Sequence, residues 1–284
     1  MANTMSIGLT MFATDRSMAV PALAQSAEER GFDSVWIPEH THIPTSRETP
    51  PPMGEDELPE YYKRSVDPLV ALAAAAAVTQ TVRLGTGIML PAQREPIVTA
   101  KAIATLQNIA SGRFELGVGF GWNKDEMASH GVDFKTRRAQ TREHVLAMKA
   151  LWSSNETEFH GQYVNFAKSW SWPKPDPSVP VLIGGGFGPK MLADLVGYAD
   201  GWIPIGGHGL ADAIPKYRNA LEDAGRDPDR ARIIPFGSLP TLEKLEHFAS
   251  IGVTEVVFRV PSASESEVLP ILDQQADLKA QFGG

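Results

Sequence analysis

The sequence contains no cysteine. Disulfides, thiolate metal centres and cysteine nucleophiles are therefore excluded. It also lacks an excess of positive charge: 26 Lys and Arg stand against 34 Asp and Glu, a formal net charge of −8. That balance argues against a broad nucleic-acid surface, though not against a local anion pocket. No apolar run is long enough for a membrane. The most apolar helix-like stretch, Leu69 to Val78, falls far short of the roughly 20 residues that span a bilayer. The N-terminal run MANTMSIGLTMFATDR has no basic segment ahead of a long apolar one, so no signal peptide is expected. Of the 284 residues, 43% are hydrophobic and 21% charged. Such a chain can bury a large core, and disorder is excluded. The expectation is a soluble, cytoplasmic enzyme with a small-molecule substrate and neither a nucleic-acid nor a membrane partner.

Short apolar runs alternate with helical patterns along the whole chain. Strands are expected at 6–12, 34–38, 83–90, 113–119, 179–183, 201–205, 231–236 and 255–260. Helices are expected at 18–30, 66–79, 96–110, 136–152, 188–199, 210–224, 241–251 and 264–280. Asp67-Pro68 supplies a cap and first-turn pair, and Gly31 sits where a helix C-cap belongs. The strands are nearly continuously apolar, as strands covered on both faces should be. Eight strand–helix units predict an α/β fold, a (β/α)8 TIM barrel, with residues 1–284 forming one domain. Two stretches break the rhythm as insertions. One, residues 41–64, follows strand 2 and includes Pro50-Pro51-Pro52 and Glu55-Asp56-Glu57. It reads as a substrate wall or lid, or as a solvated excursion. The other, residues 153–178, precedes strand 5 and contains a hairpin turning near Gly161.

Barrel enzymes place their chemistry at the C-terminal strand ends. Strand 2 is followed by Glu39-His40-Thr41-His42. A carboxylate beside an imidazole suits proton transfer near neutrality, and His40 and Glu39 are the candidate catalytic residues. A metal reading of His40 and His42 is weak, because no third ligand stands at a suitable spacing, so no metal is expected. Strand 3 carries two glycines, Gly85 and Gly87, and runs on to Arg94. The glycines mark a bulge, a close approach to a ligand, or tight packing. Arg94 either holds an anionic substrate group or forms an ion pair with Glu95. After strand 4 come Gly117, Gly119, Gly121, Trp122 and Glu126. This run lacks the third glycine of the dinucleotide fingerprint. Glu126 either faces the substrate or caps the next helix. After strand 5, Gly184-Gly185-Gly186-Phe187-Gly188 enters a helix, which favours phosphate binding at its N-terminus. Trp170 and Trp172 either line an apolar substrate wall or bury the hairpin.

Asp33-Ser-Val-Trp-Ile-Pro-Glu-His40, Leu84-Gly-Thr-Gly-Ile88, the run from Ile109 to Trp122, Val181-Leu-Ile-Gly-Gly-Gly186, Ala199-Asp-Gly-Trp202 and Gly252 to Phe258 occur in order. Together they resemble the bacterial luciferase-like superfamily, and within it most closely the coenzyme F420-dependent oxidoreductases. The resemblance implies a barrel with the deazaflavin ring in its mouth, beside a third-strand bulge with a cis peptide at Gly87–Ile88. It implies that Thr86, Gly87, Ile88, Gly119, Trp122 and Gly184 to Gly188 contact the cofactor, and that His40 lies near the ring. It further implies a homodimer. Arg94, Glu126, Trp170 and Trp172 are then the candidate substrate residues. Trp122 stands where the sugar-phosphate dehydrogenase branch has its catalytic glutamate, which argues against a sugar-phosphate substrate. The expected activity is F420-dependent hydride transfer to or from a small organic substrate. The alternatives are an FMN-dependent monooxygenase and a non-catalytic barrel that binds a metabolite.

Overall fold

A computed structural model of the chain describes residues 5–52, 54 and 57–283. Glu55 and Asp56 of the loop singled out above lie outside the described residues. The chain starts with β1 (Ser6–Thr10), α1 (Val20–Glu29), β2 (Ser34–Ile37), α2 (Pro68–Ala76), β3 (Arg83–Thr86) and α3 (Pro96–Ile109). It continues through β4 (Phe114–Val118), a short α4 (Lys124–Ser129), the long α5 (Arg137–Ser153), β5 (Thr157–His160) and β6 (Asn165–Ser169). The last third is β7 (Val181–Gly184), α6 (Pro189–Tyr198), β8 (Gly201–Ile203), α7 (Leu210–Asp223), β9 (Arg232–Ile233) and β10 (Phe236–Ser238), then α8 (Leu242–Ser250), β11 (Glu255–Arg259) and α9 (Glu265–Gly283). Among the described residues no helix is long and apolar enough to cross a membrane.

Local chemistry sets the helix starts. Asp67 accepts a hydrogen bond from the Val70 amide and Glu95 from the Val98 amide. Each precedes a proline, whose fixed φ and missing N–H suit the first helical position.

The strands form one curled parallel sheet in the order β10-β11-β1-β2-β3-β4-β7-β8-β9. Its two ends are neighbours in the chain. One strand was expected over 231–236; β9 and β10 are two pieces of it, separated by Ile234 and Pro235. Pro235 has no N–H to donate. Around it the segment serves both sides. The Ile234 and Phe236 amides bond to the carbonyls of Trp202 and Pro204, while the Ile233 and Pro235 carbonyls accept from Thr254 and Val257. The sheet thus curls until its ends share one stretch of backbone.

Trp36, Leu182, Ile203, Ile234, Phe236 and Val257 pack inside the curl, with Ile88 against them. The strand-3 glycines make this packing possible. A Cβ on Gly85 would lie 2.2 Å from the Trp36 ring, and one on Gly87 would lie 2.5 Å from Phe236. The larger apolar cluster fills the layer between sheet and helices.

The expected hairpin is β5–β6, paired antiparallel. The Glu143 carboxylate on α5 pins its turn, accepting from the amides of Gln162, Tyr163 and Val164 at 3.0, 2.5 and 2.6 Å. Trp170 and Trp172 follow β6 and are 78% and 56% exposed. Indoles so exposed do not bury the hairpin. The Trp172 carbonyl binds Lys101 on the outside of α3. Lys174 binds the Leu151 and Ser154 carbonyls at the C-terminal end of α5. That part of the chain lies along the outer helices.

Candidate active site

The C-terminal rim of the sheet gathers the candidate residues. His40 follows β2 and is 8% exposed. Its Nδ1 lies 2.8 Å from Oε2 of Glu126, a residue on α4 that is 1% exposed. Helix α4 is held in place by Asn123, whose Oδ1 accepts from the amides of Asp125 and Glu126. Glu126 is therefore not the cap; Asn123 is. The second carboxylate oxygen of Glu126 and the Asn123 Nδ2 are buried without a hydrogen-bond partner among the described residues. Rings surround the imidazole. Tyr62 and Trp122 stand edge-to-face to it, with centroids at 5.1 and 5.7 Å, and to each other at 5.8 Å.

Glu39 does not support His40. Consecutive residues of an extended segment project to opposite sides, and the Glu39 carboxylate turns away. It accepts from the Leu90 amide at 2.6 Å and from Nε of Arg94 at 2.7 Å. Burial pushes the Glu39 carboxyl up, against the pull of Arg94. Arg94 reaches on to Asp67. It is thus part of an ion-pair chain that runs from the buried Glu39 to the exposed Asp67, neither a free anion receptor nor the partner of Glu95. Glu95 caps α3 instead.

Several described residues of the 41–64 stretch contact the rest of the chain, while others, such as Pro50 and Lys63, are exposed. Asp125 accepts from the Glu48 and Thr49 amides and the Thr49 hydroxyl. Thr41 bonds His130 at 2.7 Å. Further along, Tyr61 and Tyr62 pack on Phe12 at 4.6 and 4.9 Å. Tyr62 and Asn123 escaped the sequence reading. Tyr62 lies in a loop without periodicity, and the Asn123 cap was visible only as the polar residue before a six-residue helix.

The residues expected at the cofactor divide in two. The Gly87–Ile88 peptide is cis, as the resemblance implies. Thr86 is fully buried and donates to the Gly117 carbonyl. A Cβ on Gly119 would lie 2.0 Å from the Ile88 side chain, and one on Gly184 2.9 Å from it. These two glycines thus make room for Ile88. The Gly185 amide bonds the Ile203 carbonyl, and its own carbonyl accepts from the Trp202 indole. Gly186 and Gly188 differ, since a Cβ on either would meet nothing within 4 Å. Protein packing does not demand glycine there. Gly186 and Phe187 line a cavity of about 350 Å³ with Trp202, His208, Asp212 and Lys216. Open glycine backbone, a lysine and a histidine fit a phosphate group, with the Asp212 carboxylate in the same lining acting against it. Among the described residues no three His, Asp or Glu side chains cluster as a metal site.

Residues 10–246 match the family model described as luciferase-like monooxygenase, and the chain belongs to that family. An uncharacterized protein of Mycobacterium tuberculosis is 40% identical over 276 residues, covering 96% of this chain and 98% of its own length. An F420-dependent glucose-6-phosphate dehydrogenase of Amycolatopsis mediterranei is 33% identical over 265 residues, covering 87% of this chain and 74% of that protein. Among solved structures, an F420-dependent secondary alcohol dehydrogenase in complex with an F420-acetone adduct superposes with a TM-score of 0.79. It is 22% identical, and the match covers 98% of this chain and 99% of that one. The homologues of this chain thus include F420-dependent oxidoreductases.

Proposed function

We propose that the protein is an F420-dependent oxidoreductase that transfers a hydride between the deazaflavin and a small organic substrate. The observation that carries this reading is the buried His40–Glu126 pair at the C-terminal rim, in a chain 33% identical to an F420-dependent dehydrogenase. Bound F420 would supply the hydride-carrying carbon and, lacking flavin's oxygen-reactive nitrogen, would not activate dioxygen. The chain's own residues do the rest. Gly186, Phe187, Gly188 and Lys216 hold the phosphate. Ile88 backs the ring from the strand-3 bulge. His40 exchanges the proton that accompanies hydride transfer. Tyr62 and Trp122 keep water from the imidazole.

A second reading, an FMN-dependent monooxygenase, is favoured by the family description itself. Equilibrium titration of the protein with F420 and with FMN decides between them. Micromolar F420 binding without FMN binding supports the dehydrogenase reading; the reverse pattern overturns it; binding of neither favours a metabolite-binding barrel.

The same reading takes the curled sheet as a (β/α)8 barrel in one cytoplasmic domain, β9 and β10 counting as one strand. Support comes from the backbone bonds on both sides of Pro235. It also takes the protein as a homodimer. Helix α2 has the sequence PLVALAAAA, with no polar side chain, yet Val70 is 72% exposed beside an equally uncovered Val98 on α3. A helix apolar all round is normally covered.

A further inference from the structure

We infer that Glu126 is the positioning residue that fixes the tautomer of His40, holding the proton on Nδ1 and leaving Nε2 unprotonated for the reacting atom. This rests on the reading of His40 as the proton-exchanging group.

The geometry points to it in three ways. An ionised carboxylate only accepts hydrogen bonds, so a ring nitrogen 2.8 Å from it must donate. A neutral imidazole has one N–H. If Nδ1 carries it, Nε2 keeps a lone pair, and no hydrogen bond to Nε2 occurs among the described residues. Second, Glu126 has no structural task that would keep it ionisable and buried. Asn123 already caps α4, and the other Glu126 oxygen has no partner among the described residues. Third, among the described residues no charged side chain other than Glu126 pairs with the ring. From the β2 side, Glu39 is engaged by Arg94. From the loop, Tyr62 offers a ring edge, and Trp122 offers another. His130 at the end of α4 feels the Glu126 charge but bonds Thr41. Glu126 is thus the group that decides which nitrogen is protonated, through an orientation that positions the base without joining the reaction.

Nitrogen-15 NMR of the full-length protein labelled at histidine tests this without any cofactor. Wild-type His40 is expected as the Nδ1–H tautomer at a pH where the ring is neutral. Glu126→Leu removes the acceptor at similar volume. It should move His40 towards Nε2–H and lower F420-linked turnover about 10²-fold, with F420 affinity unchanged. Nε2–H in the wild type overturns the proposal, and so does an unchanged tautomer in folded Glu126→Leu. Should that variant not fold, the wild-type spectrum decides alone. A protein that shows the Nδ1–H tautomer but binds no F420 keeps this inference and loses the functional reading.

Discussion

Glu115 and Glu255 are buried at the N-terminal rim of the sheet; Glu126 is buried at the opposite rim. At the N-terminal rim the accounting is complete. Glu115 is bound by Arg83 at 3.0 Å and Arg232 at 2.9 Å. Glu255 is bound by the same two arginines at 2.7 and 3.3 Å. Its remaining oxygen accepts from Ser34 and the Trp36 indole. Two cations face two anions, and no oxygen is left over. At the C-terminal rim Glu126 has one oxygen on His40 and, among the described residues, no partner for the other. A buried polar atom without a partner costs about 1–3 kcal/mol. Several buried polar atoms are in this position among the described residues, and Glu126 supplies the carboxylate oxygen among them. The difference teaches where to expect stability and where to look for chemistry: the satisfied network fastens the sheet, and the unsatisfied one is the site proposed to react.

The sharpest way to break this comparison is to damage the C-terminal rim without touching stability. His40→Asn places an amide donor near the position of Nδ1, so Glu126 keeps a partner, but it removes Nε2. Turnover should fall about 10²–10⁴-fold, while the urea midpoint shifts by less than about 1 kcal/mol equivalent. Steady-state kinetics and denaturation on the same preparation check both halves. Near-normal turnover would move the proton-exchanging role away from His40. The converse experiment is Glu255→Gln. It leaves Arg83 and Arg232 facing one carboxylate, and breaking a buried pair costs about 3–5 kcal/mol. Urea unfolding should show that loss with F420 affinity unchanged. A variant that loses activity but not stability would reverse the roles assigned to the two rims.

These assignments were unevenly legible in the sequence. The alternation of strand and helix was readable because the parallel strands are nearly continuously apolar and several helices open at a proline, as at Pro68 and Pro96 after the capping residues Asp67 and Glu95. The break at Pro235 was readable in principle, since proline cannot donate to a ladder. The site was half legible. His40 and Glu126 were both candidates, yet they are 86 residues apart, and spacing carries no signal across such a gap. Chain adjacency suggested Glu39 instead, and the side-to-side alternation of extended backbone sent that carboxylate to Arg94. Trp170 and Trp172 read equally as a substrate wall or as hairpin packing, because aromatics cluster there; their exposure accompanies a hairpin pinned to α5 by Glu143, which no local pattern announces.

A smaller effect sharpens the comparison at the cofactor. Gly186 has open space where a Cβ would stand, so Gly186→Asp should fold normally. Its carboxylate would oppose a phosphate at the start of α6, and F420 affinity should fall about tenfold or more. Fluorescence titration reads this, with thermal unfolding as the control. Unchanged affinity in a folded variant removes the phosphate from the Gly184 to Gly188 loop.

The smallest expected effect concerns acid, and it belongs to the structural side of the molecule. Glu28 on α1 accepts from the amides of Gln80, Thr81 and Val82 and from the Thr81 hydroxyl, which ties α1 to the entry of β3. Burial raises its carboxyl, but these donors more than offset that, and the group falls from 4.5 to about 2. A carboxyl depressed on folding stabilises the native state at every pH above its unfolded value. That contribution is lost as pH falls from about 4.5 towards 2. Glu28→Gln should therefore be less stable than wild type at pH 7, and the gap should narrow through that acid window. The sign is opposite to what a destabilising buried carboxylate would give, because protonating such a group would stabilise the fold. Urea midpoints of both proteins at pH 7, 4.5 and 3 separate the cases. A gap that stays constant across the three would mean that the Glu28 hydrogen bonds hold the protonated carboxyl as well as the charged one.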